Sequence, residues 1–340
     1  MKLAKILIIL LIISLLYLLI PQQNNTLLYI PDKNDSDKNM AIKLQNTSLN
    51  RFDLWLIKLS NYKSGWIRVQ DSINRYKLYP KIFSKKREKT RLIVLYSGEN
   101  IEHFAKKVAK QANLNANKLL KIYHQKVGLK NKILVARKYK IPFHTNEDSL
   151  ISYILYKSHK IIKNTSPKDI DIDSKEFYNK MIIASIVQKE TQNPKEMPII
   201  ASVIYNRLKN GIKLQMDATL NYGKWTNTPI TPKKIREDNS LYNTYKHKGL
   251  PPKILCAVST SAIKASLHPA NTNYIYFVKG VKKHIFSKKY KKHQKYVKKY
   301  KDRLAMYRHI KKILYVKFYQ PTAKFRLNYK KLDIIAPKKE

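Results

Sequence analysis

Three things are scarce in this chain. Of its 340 residues one is cysteine, 7 are glycine, and 22 are acidic against 69 Lys+Arg. The lone Cys256 excludes any intramolecular disulfide, so the fold must be held by its core alone. Set between Ile254-Leu255 and Ala257-Val258, that thiol reads as a buried apolar side chain and not as a nucleophile. With so few glycines there is no phosphate-cradling loop, and no Ser-His-Asp signature is present. His268, His284 and His293 do not fall at metal-ligand spacing and no cysteine pair joins them, so neither metal nor other cofactor is expected. The shortage of acid leaves a formal net charge of +47, a balance that ordinarily points to nucleic acid. Here lysine far outnumbers arginine and is spread along the chain, which reads as solvated surface, and no nucleic-acid partner is expected.

Long hydrophobic runs are also rare. There is one, Leu3 to Ile20, almost all Leu and Ile. It is as short as a spanning helix can be, and Lys2 and Lys5 favour a cytoplasmic N-terminus. No small-x-small site follows it, so residues 1–20 read as an uncleaved single-pass anchor in the inner membrane, with the remainder periplasmic. Gln22 to Asn25 reads as a polar tether, Thr26 to Ile30 as a short strand, then the polar DKNDSDKN stretch, and Arg51 to Leu59 as a helix. RLIVLY (91–96) is a strand; Asn100 caps a helix with Ile101, Phe104, Val108 and Ala112 on one face, and Ala116 to Tyr123 forms another. Gly128 to Asn164 reads as a basic connector containing a helix from Leu150 to Ile162, and Asn164 to Asp173 as a hinge. Further helices are expected at Met197 to Leu208, with Gly211 as the stop, at Ile254 to Leu267 and at Lys288 to Tyr300. Tyr274 to Val278 and His284 to Ser287 form a strand pair. The whole is an α+β chain: anchor 1–20, an N-terminal region 21–90, a β-α-α module 91–150, a mixed α/β catalytic domain 165–300, and a basic extension 301–340 that forms strands or a helix.

The chemistry centres on Phe177 to Tyr222. In a helix from Phe177 to Lys189, Ile183, Ile186, Val187 and Glu190 share one face. Three are apolar and the fourth is a carboxyl at the negative end of the helix dipole, so both burial and dipole raise its pKa. That is what a general acid near neutral pH needs; a glutamate on a frayed end, turned to water, is the plain alternative. Asp217 is the next carboxylate, serving either catalysis or a turn cap. Tyr242, Asn243, Thr244 and Tyr245 put hydroxyls, an amide and aromatic faces in consecutive positions, a set that suits acetamido sugars. Asn206 and Gln215 are groove candidates of the same kind.

The ordered pieces ASIVQKET, ASVIYNRLKNGIKLQMD, YNTYKHKGLPP and HPANTNYIYFV resemble the YceG-like (MltG) endolytic murein transglycosylases, over roughly residues 27 to 300. The resemblance implies that Glu190 is the catalytic acid/base, that YNTY lies in the cleft, and that the β-α-α unit is a LysM-like module holding glycan strands. It implies a lyase that cuts MurNAc-GlcNAc bonds of nascent strands, leaving 1,6-anhydro ends. The partners implied are peptidoglycan glycan strands and peptidoglycan synthases of the penicillin-binding class. The chain departs from the family pattern at Gln188, where another glutamate is usual, at Met216 and Ala218, and after GLPP. The competing readings are a water-using muramidase and a non-catalytic basic protein binding cell wall or nucleic acid.

Overall fold

Four short strand pairs and a set of amphipathic helices build three small cores, seen in a computed structural model that describes residues 2–23, 27–32, 35, 49–70, 72–128, 133–223, 228–280 and 283–318. Helix α1 (Lys2–Leu19) takes up the apolar run; its side chains from Ile6 to Leu16 are exposed, while Tyr17 and Leu18 are half-buried. Among the described residues no helix is long and apolar enough to cross a membrane, and the side chains of α1 are described only from Ile6 onward. Strand β1 (Pro21–Gln23) follows at once and pairs antiparallel with Ser72–Asn74, so Gln22 and Gln23 sit in a ladder instead of forming a tether. Asn24, Asn25 and most of the DKNDSDKN stretch lie outside the described residues.

The first core joins β2 (Leu27–Ile30), α2 (Arg51–Leu59), β3 (Gly65–Arg68), β4 (Ser72–Asn74) and α3 (Arg75–Phe83). Strand β2 is buried on both faces, which is why LLYI lacks polar alternation. Leu28 and Ile30 face this core with Ile67, whereas Leu27 and Tyr29 face the next one with Trp66. Asn50 opens α2 with a capping box, accepting from the Asp53 N–H while the Asp53 carboxylate accepts from its own. Asp53 also receives Arg75 Nε at 2.7 Å and the Tyr79 hydroxyl at 2.5 Å. Burial alone would raise the Asp53 carboxyl, but these donors hold it below the ordinary range.

The second core is a β-α-α-β layer of β5 (Thr90–Leu95), α4 (Ile101–Ala112), α5 (Ala116–Gly128) and β6 (Arg137–Pro142), backed by α6 (Glu147–Thr165). β6 pairs antiparallel with β5, Ile93 opposite Tyr139. This corrects the reading of Gly128 to Asn164 as a connector: Tyr139 and Ile141 alternate inward between Lys138 and Lys140, a period-2 pattern within a basic stretch. The Asn100 side chain caps α4 as expected, accepting from the His103 N–H at 2.9 Å.

The third core is built from α7 (Lys175–Glu190), α8 (Met197–Lys209) and α9 (Asp217–Leu220), with α10 (Pro232–Glu237) outside it and burying no residue, and from α11 (Thr260–Leu267); β7 (Tyr276–Lys279) and β8 (His284–Ser287) pack against it, and α12 (Tyr290–Phe318) packs on those two strands. α8 ends in a Schellman turn: the N–H groups of Gly211, at φ +65°, and Ile212 return to the Leu208 and Arg207 carbonyls. α11 starts at Thr260, six residues later than the apolar pattern suggests. The residues before it are irregular, with an isolated bridge at Val258, and stitch the second and third cores together, Ala257 N–H to Glu99 O at 2.8 Å and Val258 N–H to Leu134 O at 3.1 Å. Backbone groups between two cores have no water, so cross-pairing wins over helix. Ile310 to Phe318 is part of α12 and not a strand, since neither Gly nor Pro interrupts the sequence before Pro321. Residues 319–340 of the basic extension lie outside the described residues.

Candidate active site

Helix α7 is capped by Ser174, whose side chain accepts from the Phe177 N–H, and it is buried from Met181 to Gln188 between α8 and α11. Sixteen residues later its last position is Glu190. The residue is half-buried, yet its Oε1 is enclosed and has no hydrogen-bond partner among the described residues. An unsatisfied buried polar atom is costly, and a catalytic role is one reason for a fold to keep one. Burial pushes the Glu190 carboxyl up and nearby Asp217 pushes it further, against the Ala218 N–H that donates to it and the Arg207 cation; it comes to rest at about 7. The acid expected at the apolar end of this helix is therefore balanced between its two protonation states near neutral pH.

The roof over Glu190 is α9, and two motifs 28 residues apart in sequence hold it. Gln215, at φ +48°, donates its N–H to Thr244 O at 3.1 Å, and the Met216 N–H goes to Thr244 Oγ1 at 3.1 Å. Thr244 Oγ1 is also 2.9 Å from Thr219 Oγ1. Asn243 is fully buried, donating to Ile235 O at 2.8 Å and Asp238 O at 2.7 Å. Tyr245 reaches back, its hydroxyl donating to Asp217 Oδ1 at 2.7 Å. Burial and that carboxylate raise the Tyr245 hydroxyl. Tyr242 turns the other way and stacks on Tyr222, ring centroids 4.0 Å apart at 9°. The pair lines a cleft of about 670 Å³ with Tyr123, Tyr178 and Asn100, between the second and third cores.

Glu190, Asp217 and Tyr245 thus converge, with exposed Gln215 beside them. Asn243 and Thr244 bind backbone and buttress α9. Asn206, expected in a groove, spends its amide hydrogens on Thr272 O at 2.8 Å and Tyr274 O at 2.9 Å. Gln188, in place of a glutamate, donates to Gln192 Oε1 at 3.0 Å and accepts from the Ser259 N–H at 3.0 Å. It ties the end of α7 to the start of α11. Cys256 is buried, its thiol pushed up to about 12 by burial.

Two contributors escaped the sequence reading. Arg207 is buried, donates from Nε to Ile275 O at 2.7 Å and contacts the Leu214 carbonyl, so it holds the segment leading to α9 while biasing Glu190 electrostatically. Its signal was a cation in the apolar row of α8, at Ile200, Ile204, Arg207 spacing. Glu196 accepts from His284 Nδ1 at 2.7 Å, the His284 N–H at 3.1 Å and the Thr191 hydroxyl at 3.3 Å, which latches the residue after Glu190 to β8. Nothing local marked that pair. Among the described residues no group of three or more His, Cys, Asp or Glu side chains could hold a metal ion.

The chain is similar in sequence to known proteins. An endolytic murein transglycosylase of Bacillus subtilis (strain 168) is 32% identical over 162 residues, 47% of this chain and 45% of that one. One from Streptococcus pneumoniae serotype 2 (strain D39) is 33% identical over 150 residues, 42% of this chain and 27% of that one. The matched stretch spans less than half the length of these relatives. A crystal structure of a yceG-like protein from Listeria monocytogenes aligns with a TM-score of 0.51 over 79% of this chain and 97% of that one; at 20% identity the likeness concerns the fold alone. The family model described as the YceG-like family matches residues 29–299, most of the length, and the chain belongs to that family.

Proposed function

We propose that this protein is an endolytic peptidoglycan lytic transglycosylase that cuts MurNAc-GlcNAc bonds in nascent glycan strands, with Glu190 as its single acid/base. The observation that carries the reading is the enclosed, unpartnered Oε1 of Glu190 on a carboxyl balanced near pH 7. Breaking a glycosidic bond needs a proton on the leaving oxygen as oxocarbenium character builds at the sugar. Protonated Glu190 supplies it, and the resulting carboxylate takes the proton of the C6 hydroxyl of the same muramyl sugar, closing the 1,6-anhydro ring. One group in both roles requires a pKa near the working pH. Burial first, and then Asp217, tied to Tyr245, keep that pKa up, and the negative charge of Asp217 favours the cationic sugar.

The curated relatives carry the name endolytic murein transglycosylase, which supports the same substrate class. In this reading the β-α-α-β layer is the LysM-like, glycan-holding module, and the Tyr222-Tyr242 pair offers sugar rings a flat face. Helix α1 anchors the chain to the inner membrane with the catalytic domain periplasmic, beside a peptidoglycan synthase of the penicillin-binding class. The support for the anchor is the apolar run Leu3 to Ile20 and the exposure of its side chains, a surface of the kind that membranes or partners cover. The second carboxylate, Asp217, favours one rival, a water-using muramidase. Digestion of purified peptidoglycan followed by mass spectrometry tests the reading. Anhydro ends that vanish in Glu190→Gln support it, reducing ends assign the muramidase, and no cleavage by the wild type removes the enzymatic reading.

A further inference from the structure

Helix α2 carries an exposed stripe that a surface helix in water has no reason to keep. Phe52, Trp55 and Leu59, at i, i+3 and i+7, are 50%, 53% and 63% exposed, while Leu54 and Ile57 on the other face fill the first core. Phe52 and Trp55 stack with centroids 5.7 Å apart. Phe52 in turn meets the ring of Tyr17, in the last turn of α1, edge-on at 5.4 Å. The stripe is therefore continuous with the exposed apolar surface of α1. Scattered apolar residues on a surface are ordinary, but a contiguous patch marks an interaction site.

The join between α1 and this layer is fixed. The Tyr17 hydroxyl donates to Asp53 Oδ1 at 2.8 Å, the Arg75 guanidinium sits 4.0 Å over the Tyr17 ring, and β1 enters its ladder directly after α1. Asp53 belongs to α2 and Arg75 to α3, so both helices are held to the end of α1. A helix of 18 residues is about 27 Å long, close to the roughly 30 Å of a hydrocarbon layer. If α1 crosses a bilayer, its Tyr17 turn lies where chains give way to headgroups, and Phe52, in contact with Tyr17, lies at that level with Trp55 stacked on it. Tryptophan and tyrosine concentrate there because one end of the ring system is apolar and the other wants a polar partner. The neighbouring α3 exposes Tyr76, Lys77 and Lys81 and leads to exposed Lys85, Lys86 and Lys89, cations that anionic headgroups attract.

We propose that the Phe52-Trp55-Leu59 stripe of α2 is a membrane-docking surface, seated in the interfacial layer of an anionic phospholipid bilayer beside α1. This rests on the anchor reading of α1. It makes the first core a foot standing on the membrane, not a bead on a string, and sets the distance of Glu190 from the bilayer.

The full-length chain, reconstituted singly into nanodiscs containing anionic phospholipid, tests it with nitroxide labels at Leu10→Cys, Leu59→Cys and Leu241→Cys; the native Cys256 is buried. The expected result is that the labels at 10 and 59 collide preferentially with oxygen, and the label at 241 with a water-soluble nickel chelate. A lipid-like label at 10 with a water-like label at 59 overturns the docking surface and leaves the anchor standing; a protein partner or a second copy as the true occupant gives that same pattern. A water-like label at 10 overturns the anchor and the docking surface together. Brominated lipid provides an independent readout, since Trp55→Phe retains an apolar ring. That variant should lose most of the lipid-quenchable tryptophan emission, and unchanged quenching counts against the proposal.

Discussion

Glu190→Gln should abolish the proposed cleavage and stabilise the fold, in a way that depends on pH. The carboxyl sits at about 7 in the folded protein against an ordinary 4.5. A group whose folded pKa is raised binds its proton more tightly when folded. Its favourable contribution is complete below about 4.5 and is lost as the pH rises through 7. Each unit of difference is worth 1.36 kcal/mol, so above pH 7 the ionised side chain costs the fold about 3 kcal/mol relative to its neutral form. The amide has the same size, can accept from the Ala218 N–H and cannot ionise, so position 190 of the variant adds no pH dependence of its own, and the difference between the two proteins isolates the Glu190 titration. Melting curves of the two proteins should nearly coincide around pH 4 and separate by pH 8.5. For a domain of this size each kcal/mol moves the midpoint by roughly 2–4 °C, with the dead variant melting higher. Peptidoglycan cleavage by the same preparation should fall by about 10²–10⁴. A stability difference that is constant with pH, or that reverses sign, refutes the claim that Glu190 ionises in an enclosed site, whatever happens to activity.

Asp217→Asn removes the neighbouring charge that helps raise Glu190, so the alkaline limb of kcat/KM should move to lower pH; an unmoved limb would show the two carboxyls to be uncoupled. His284→Ala breaks a charge-assisted contact with Glu196, which should lower stability by about 1.5–3 kcal/mol in urea titrations, and a neutral result would dissolve the latch between Thr191 and β8. Ending the chain after Asp302 removes 11 Lys+Arg and 2 acidic residues but keeps the Tyr290 and His293 contacts with Tyr276. Sedimentation with peptidoglycan should therefore weaken at low salt and change little at high salt, where charges beyond a Debye length of about 3 Å at 1 M are screened. The melting temperature should stay put.

What the sequence determined by itself is what depends on neighbours a few residues away. The Arg51 to Leu59 helix, the Asn100 cap, the Gly211 stop and the placing of a carboxyl at the end of an apolar helix face all follow from periodicity and from backbone groups satisfied within one turn. Strand β6 was hidden because its pattern of alternating lysine and apolar residues means nothing until β5, some 45 residues earlier, is there to pair with it. The start of α11 was misplaced for the same reason: helix propensity from Ile254 onward lost to carbonyls supplied by Glu99 and Leu134. Asn206 and Tyr245 looked alike as candidates, both polar and both in family-like motifs. Only folding assigned one to backbone carbonyls near Tyr274 and the other to Asp217. The strength of the acid was decided at that level too. A helix end can suggest a raised pKa, but the burial, the Ala218 N–H, Asp217 and Arg207 that set it near 7 come from three separate elements. Electrostatic energy depends on distance through space and on the water excluded between charges, and neither is written along the chain.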